Sequence, residues 1–158
     1  KLLKIEKKDY AYVFKYQPQE GESITDANIP IIRLSEVYLN AAEAAVKEHD
    51  NTTAVRYLDA IVKRANPEKT VVGKTLTVED VLNERRKELV GEGHRMFDLM
   101  RNGMTMKRVD ETDKDIAKTS HDSPVMEADW NYYKIVLAIP RFEMNTNPNM
   151  VQNPGYGD

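Results

Sequence analysis

The stretch ERRKELVGEGHRMFDLMRNG, Glu84 to Gly103, decides the fold. Val78, Leu82, Arg85, Leu89, Met96 and Met100 recur there at spacings of three, four and seven residues. That is the period of a helix turning one face to a core. Arg85 stands in the middle of the stripe. A guanidinium keeps its charge, so a buried one must be paired. Glu88, Glu92 and Asp98 are near it in sequence, and Glu36 and Glu43 are available from another predicted helix. The segment therefore reads as an internal ion network that fixes how helices dock. The rival reading is a catalytic carboxylate pair, Glu84 and Glu88, one turn apart. Helical charge pairing produces the same spacing, and ion networks perturb pKa values as active sites do.

Working outward, Leu34 to about Glu48 reads as a helix whose apolar residues cover most of its circumference. Only Glu36, Asn40, Glu43 and Lys47 form a polar strip, so burial on more than one side is expected. His49-Asp50-Asn51 breaks it, and Thr52 or Thr53 can cap the next helix. That helix carries Ala54, Val55, Leu58, Ile61, Val62 and Ala65 on one face and ends at Asn66-Pro67. Two helices and a short turn make an antiparallel hairpin of tetratricopeptide-like type. One such hairpin cannot bury its own outer face, so partners are expected elsewhere. Thr77 with Asp80 predicts the cap of the third helix, which runs to about Val90. Gly91 and Gly93 predict a bend, and a short helix follows to Asn102-Gly103.

The ends are less regular. Tyr10, Tyr12, Phe14 and Tyr16 alternate as in a strand over residues 1–16, and residues 17–30 read as a loop. Residues 104–128 read as polar and irregular. Residues 131–139, NYYKIVLAI, look like a buried strand stopped by Pro140, and the tail beyond is rich in turn signals. The fold expected is mainly α, with helical hairpins and a short strand or extended segments near both termini.

The 158 residues suffice for one domain with a core. With 41% hydrophobic and 31% charged residues the chain is globular rather than disordered. A net charge of -3 lacks the basic footprint of a nucleic-acid binder. Without cysteine there are no disulfides or thiolate metal sites. No apolar run reaches the ~18 residues of a membrane span, and no signal peptide is present. His49, His94 and His121 are scattered and make no HExxH motif, so no metal or cofactor site is expected. The acidic run Asp110–Asp115 lacks the glycine and final glutamate of a calcium loop. No nucleophile elbow, dinucleotide fingerprint or P-loop occurs. Trp130, Tyr132 and Tyr133 offer flat apolar faces that either stack on sugar rings or pack into the core.

Three segments carry a family likeness: IPIIRLSEVYLNAAEA (Ile29–Ala44), ERRKELVGEGHRMFDLMRNG, and the terminal IPRFEMNTNPNMVQNPGY (Ile139–Tyr156). In motif, order and spacing they resemble the C-terminal part of the SusD/RagB family of outer-membrane glycan- and nutrient-binding lipoproteins. The resemblance implies a helical scaffold that binds and does not catalyse. It implies a place on the cell surface at the outer membrane, anchored by a lipidated cysteine upstream of this chain. It implies two partners: a SusC-type TonB-dependent transporter and an oligosaccharide or other nutrient ligand. Residues 1–158 are then a single C-terminal domain, a piece of a longer polypeptide, as the opening on Lys1 and the single hairpin also suggest. The resembling residues Glu84, Arg85, Arg86, Glu88, Glu92, Arg95 and Asp98 are expected to be architectural. So are Asn147, Pro148, Gln152, Asn153 and Pro154, which pin the tail onto the helices. No ligand-contacting residue is carried over. Rival readings are a tetratricopeptide-type scaffold for proteins and a glycoside hydrolase. The latter needs two carboxylates facing across a cleft roughly 5–10 Å apart, which Glu84 and Glu88 on one helix cannot do.

Overall fold

A computed structural model describes residues 15–16, 21, 23, 30–107 and 127–157. The expected N-terminal strand up to residue 14, most of the loop after it, the acidic run at 110–115 and His121 lie outside these residues. The described chain is mainly α, and it divides into two compact units, Lys1–Arg95 and Met96–Asp158.

The first unit is built on α1 (Leu34–Lys47) and α2 (Asn51–Ala65). His49 takes a left-handed turn at φ 61° and reverses the chain between them. Asp50, not Thr52 or Thr53, caps α2: its side chain accepts from the Thr53 amide at 3.0 Å. The cap sits two or three residues earlier than expected because Asp50 already leaves the helical region. Leu39, Ala42 and Ala45 of α1 meet Ala54, Leu58 and Ile61 of α2, and the alanines let the helices close up. Tyr38 and Tyr57 add an edge-to-face contact at 5.3 Å.

Burial on α1 differs from expectation. Leu34 and Val37 are exposed, while Glu43, placed on the polar strip, is buried and takes Lys47 at 2.9 Å. The side facing α2 and α3 is decided by the small residues, and one acidic group goes in with them.

The connector to α3 is tied to α2 by side chains. Asn51 accepts from the Leu76 amide at 2.8 Å and donates to the Lys74 carbonyl at 2.9 Å. Asp59, nearly buried, accepts from the Thr70 hydroxyl at 2.6 Å and the Val71 amide at 2.9 Å. Hydrogen bonds from Lys63, Thr70 and Val71 hold its carboxyl down at about 2. Helix α3 (Val78–Glu88) opens with a reciprocal Thr77–Asp80 capping box. It lays Val81, Leu82 and Leu89 inward beside Arg85. Gly91 and Gly93, both at φ 79°, bend the chain into α4 (His94–Arg101). The stripe does not survive this bend: Met96 is exposed.

The second unit contains a two-residue antiparallel ladder, β1 (Met106–Lys107) and β2 (Glu127–Ala128), where only irregular chain was expected. Residues 131–139 are not a buried strand. Tyr133–Ile135 make one 3₁₀ turn, and Val136 and Leu137 face outward. The extended backbone beyond finds its partners in side chains of the tail. Gln152 accepts from the Ile139 amide at 2.8 Å and donates to the Ile139 carbonyl at 3.0 Å. Asn153 donates to the Leu137 carbonyl at 2.7 Å and Tyr156 to the Val136 carbonyl at 3.1 Å. The tail residues thus grip an extended segment rather than helices. A short helix, α5 (Arg141–Thr146), separates the two stretches, where turns alone were expected.

Candidate functional site

The charges of the first unit gather where α3 ends. Arg33, extended just ahead of α1, lays its fork on Glu92: Nε donates to Oε2 and Nη2 to Oε1, both at 2.9 Å. Its Nη1 donates to Glu88 Oε1 at 2.5 Å and its Nη2 to the Glu88 carbonyl at 2.6 Å. Arg64, in the last turn of α2, donates to the other Glu88 oxygen at 2.6 Å. Lys15 pairs with the Glu92 carboxylate and reaches the Glu88 carbonyl at 2.6 Å.

Both carboxylate side chains are largely buried. Burial works to raise their pKa, but hydrogen bonds from Arg33, aided by Ser35 at Glu88 and Lys15 at Glu92, outweigh it. Both groups are held below the ordinary range. In turn the Arg33 guanidinium is pushed up, first by its bond to Glu92. A carboxylate so held is a poor proton donor near neutral pH. Its oxygens are already occupied by donors of the protein, so the cluster suits fastening better than acid catalysis.

Of the seven residues singled out in sequence, the structure brings Glu88 and Glu92 together. Arg85 is 3% exposed and donates to Asn40 Oδ1 of α1 at 2.6 Å. Glu84 takes Lys87 at 2.8 Å, and Arg86 is exposed. Arg95 donates to the Leu82 carbonyl at 3.5 Å. Asp98 belongs to the second unit, where it is buried and accepts from Arg101 at 2.8 Å. Sequence reasoning missed Arg33, Lys15 and Arg64. Arg33 had a signal: it is the only cation in the otherwise apolar run IPIIRL.

The second unit holds the other candidate. Two cavities of about 520 and 780 Å³ share Phe97, Met100, Trp130, Tyr132 and Ile135. Trp130 is 52% exposed at their edge. Tyr133 is held differently: its ring tilts on Tyr132 at 5.0 Å and meets Tyr156 edge-on at 5.3 Å. Of the three aromatics flagged in sequence, Trp130 therefore offers the open face, and Tyr133 serves to seat the tail. Among the described residues no group of His, Asp and Glu could hold a metal ion. No helix among them is long and apolar enough to cross a membrane.

Comparison with known proteins places these features. The profile of the SusD family matches residues 6–156. The starch-binding protein SusD of Bacteroides thetaiotaomicron is 32% identical over 140 residues, 89% of this chain and 24% of that protein. The crystal structure of a candidate sugar-binding protein of Bacteroides vulgatus is 69% identical, with a TM-score of 0.85. The match covers 94% of this chain and 33% of that one. A SusD-superfamily structure from Bacteroides thetaiotaomicron is 38% identical with a TM-score of 0.74, over 91% of this chain and 31% of that one. The chain thus spans about a quarter to a third of the length of these relatives.

Proposed function

This chain belongs to the SusD family, and from that premise we propose that it forms the C-terminal helical region of a surface glycan-binding protein. The observation that carries the reading is the family match over residues 6–156, with a starch-binding protein among the relatives. In this reading the whole protein captures an oligosaccharide without covalent chemistry, through aromatic stacking and hydrogen bonds to hydroxyls. It hands the sugar to a SusC-type TonB-dependent transporter. A lipid anchor upstream of residue 1 holds it at the outer membrane.

Within that protein the present chain serves as a scaffold. The ion network of Glu88 and Glu92 with Arg33, Arg64 and Lys15 is architectural, and buried Arg85 adds its own tie to Asn40 of α1. What supports this is the chemistry of Glu88 and Glu92: both are ionised and occupied by donors. A retaining or inverting hydrolase needs one carboxyl raised toward neutrality as acid. Neither meets that need.

Isothermal titration of the full-length protein against a panel of oligosaccharides, maltooligosaccharides included, tests the reading. Saturable binding with no new reducing ends is expected. Release of reducing ends, or no binding across the panel, overturns it.

A further inference from the structure

Helix α4 ends in a turn built on Asn102 and Gly103. The Gly103 amide donates to the Met100 carbonyl at 3.0 Å, and the Met104 amide to the Leu99 carbonyl at 2.9 Å. That pair of bonds, with Gly103 left-handed at φ 64°, is a glycine cap of the helix end. An added Cβ at residue 103 would meet only Trp130, at 4.0 Å, at the edge of the groove that the two cavities form. The backbone angle, not lack of room, therefore calls for glycine here. Asn102, half-buried, closes the turn from the other side: its Nδ2 donates to the Asp98 carbonyl at 2.9 Å. The same two residues carry a covalent liability. The side-chain amide of an asparagine is open to attack by the backbone nitrogen of the next residue, most readily where that residue has no side chain in the way. Of the chain's asparagines only Asn102 precedes a glycine. Asn66, Asn147 and Asn153 precede prolines, which have no N–H to give.

We propose that Asn102 is a deamidation site which the cap of α4 holds in check, and that its product unties that cap. In the reaction the Gly103 amide gives its proton to a solvent base, and its nitrogen attacks Asn102 Cγ. The Cγ–Nδ2 bond breaks, the leaving nitrogen takes a proton, and ammonia departs from a cyclic imide. Water then opens the imide to aspartate, or to isoaspartate with a backbone one carbon longer. In the folded unit both reactants are engaged: the attacking N–H is spent on Met100, and the leaving amide is turned to Asp98. Ring closure must first break both bonds, so it waits on opening of the helix end. The product cannot restore that end. A carboxylate has no hydrogen to donate to the Asp98 carbonyl. Its charge stands at the negative end of α4, one turn from the Asp98 side chain, which already takes Arg101 at 2.8 Å. In isoaspartate the extra carbon also shifts Gly103 and Met104 away from their carbonyl partners.

To test this, the full-length protein is held in mildly alkaline buffer with and without denaturing guanidinium chloride. Trypsin then releases Asn102 in the peptide 102–107, whose mass reports the change from amide to acid. Digestion in ¹⁸O-water marks any conversion made during the digest. Conversion is expected in denaturant, and the native protein should convert about tenfold more slowly or less. Equal rates overturn the protection, and no conversion in denaturant overturns the site. Hydrogen exchange at Gly103 and Met104 is followed by mass spectrometry across guanidinium concentrations below the unfolding transition. Exchange and conversion should rise together. Conversion that waits for global unfolding would place the protection in the whole fold and overturn the role of the cap. Asn102→Asp supplies the product directly. It should speed exchange of the same two amides, and unchanged exchange overturns the untying.

Discussion

In the unit from Lys1 to Arg95, Glu43 and Arg85 lie almost wholly inside, as do Leu39, Ala42 and Ala54. In the unit from Met96 to Asp158, Phe97, Leu137 and Phe142 face outward, and the polar side chains of the tail turn inward to the backbone. The first arrangement holds a core: Leu39, Ala42, Leu58 and Val81 pack together, buried Glu43 meets Lys47 and buried Arg85 donates to Asn40, while Leu34 and Val37 stay exposed. The second satisfies its hydrogen bonds but not its apolar surface. The contrast separates two ways for a segment to be stable. One carries its own core, and the other is held by hydrogen bonds from its tail while Phe97, Leu137 and Phe142 stay exposed.

That contrast can be broken at several points. The largest effect is expected from Arg33→Ala. It removes the principal partner of Glu88 and Glu92, leaving them Arg64 and Lys15, and should cost roughly 3 kcal/mol in the first unit. Chemical denaturation followed by circular dichroism reads this, and a midpoint equal to wild type would remove the fastening role. Gly155→Ala probes the second unit. Gly155 has φ 89°, and an added Cβ would stand 2.6 Å from the Tyr133 ring. A loss of about 2 kcal/mol is expected from strain and crowding together, and an unchanged melting temperature would show the tail to be loosely held.

A smaller effect concerns acid. The folded Asp59 carboxyl sits at about 2, below the ordinary value of about 3.9. Its stabilising contribution is therefore complete above about pH 4 and is lost as pH falls through about 2. Asp59→Asn should flatten that part of the acid-stability profile, measured as melting temperature against pH. An identical slope in both proteins would rule out the contribution. The smallest effect is expected from Phe97→Asp in the chain alone, within about 0.5 kcal/mol, because the ring is already in water. A large loss would mean that the groove is closed by this chain itself.

Much of the first unit was legible because helical period and caps are local. The third helix was placed by Thr77 and Asp80, three residues apart, and the bend by Gly91 and Gly93. The run at 131–139 misled for a physical reason. Apolarity says that a segment avoids water, not what its backbone bonds to. Here the partners are amide side chains 13 and 16 residues away. The short α5 was hidden because six residues give too little period to read. At the candidate site the carboxylates were visible within one segment. Their principal partner was not, since Arg33 lies 55 and 59 positions from them. No spacing rule spans that distance. Trp130 was flagged, but its exposure depends on the turn that follows it.

Glu88 has one consequence for how the molecule breathes. It joins the lead into α1, the last turn of α2 and the end of α3 through a single side chain. Fraying at any of these three places breaks the same knot. Their amide protons should then exchange with solvent at one common rate, as a single cooperative foldon rather than as three independent helix ends.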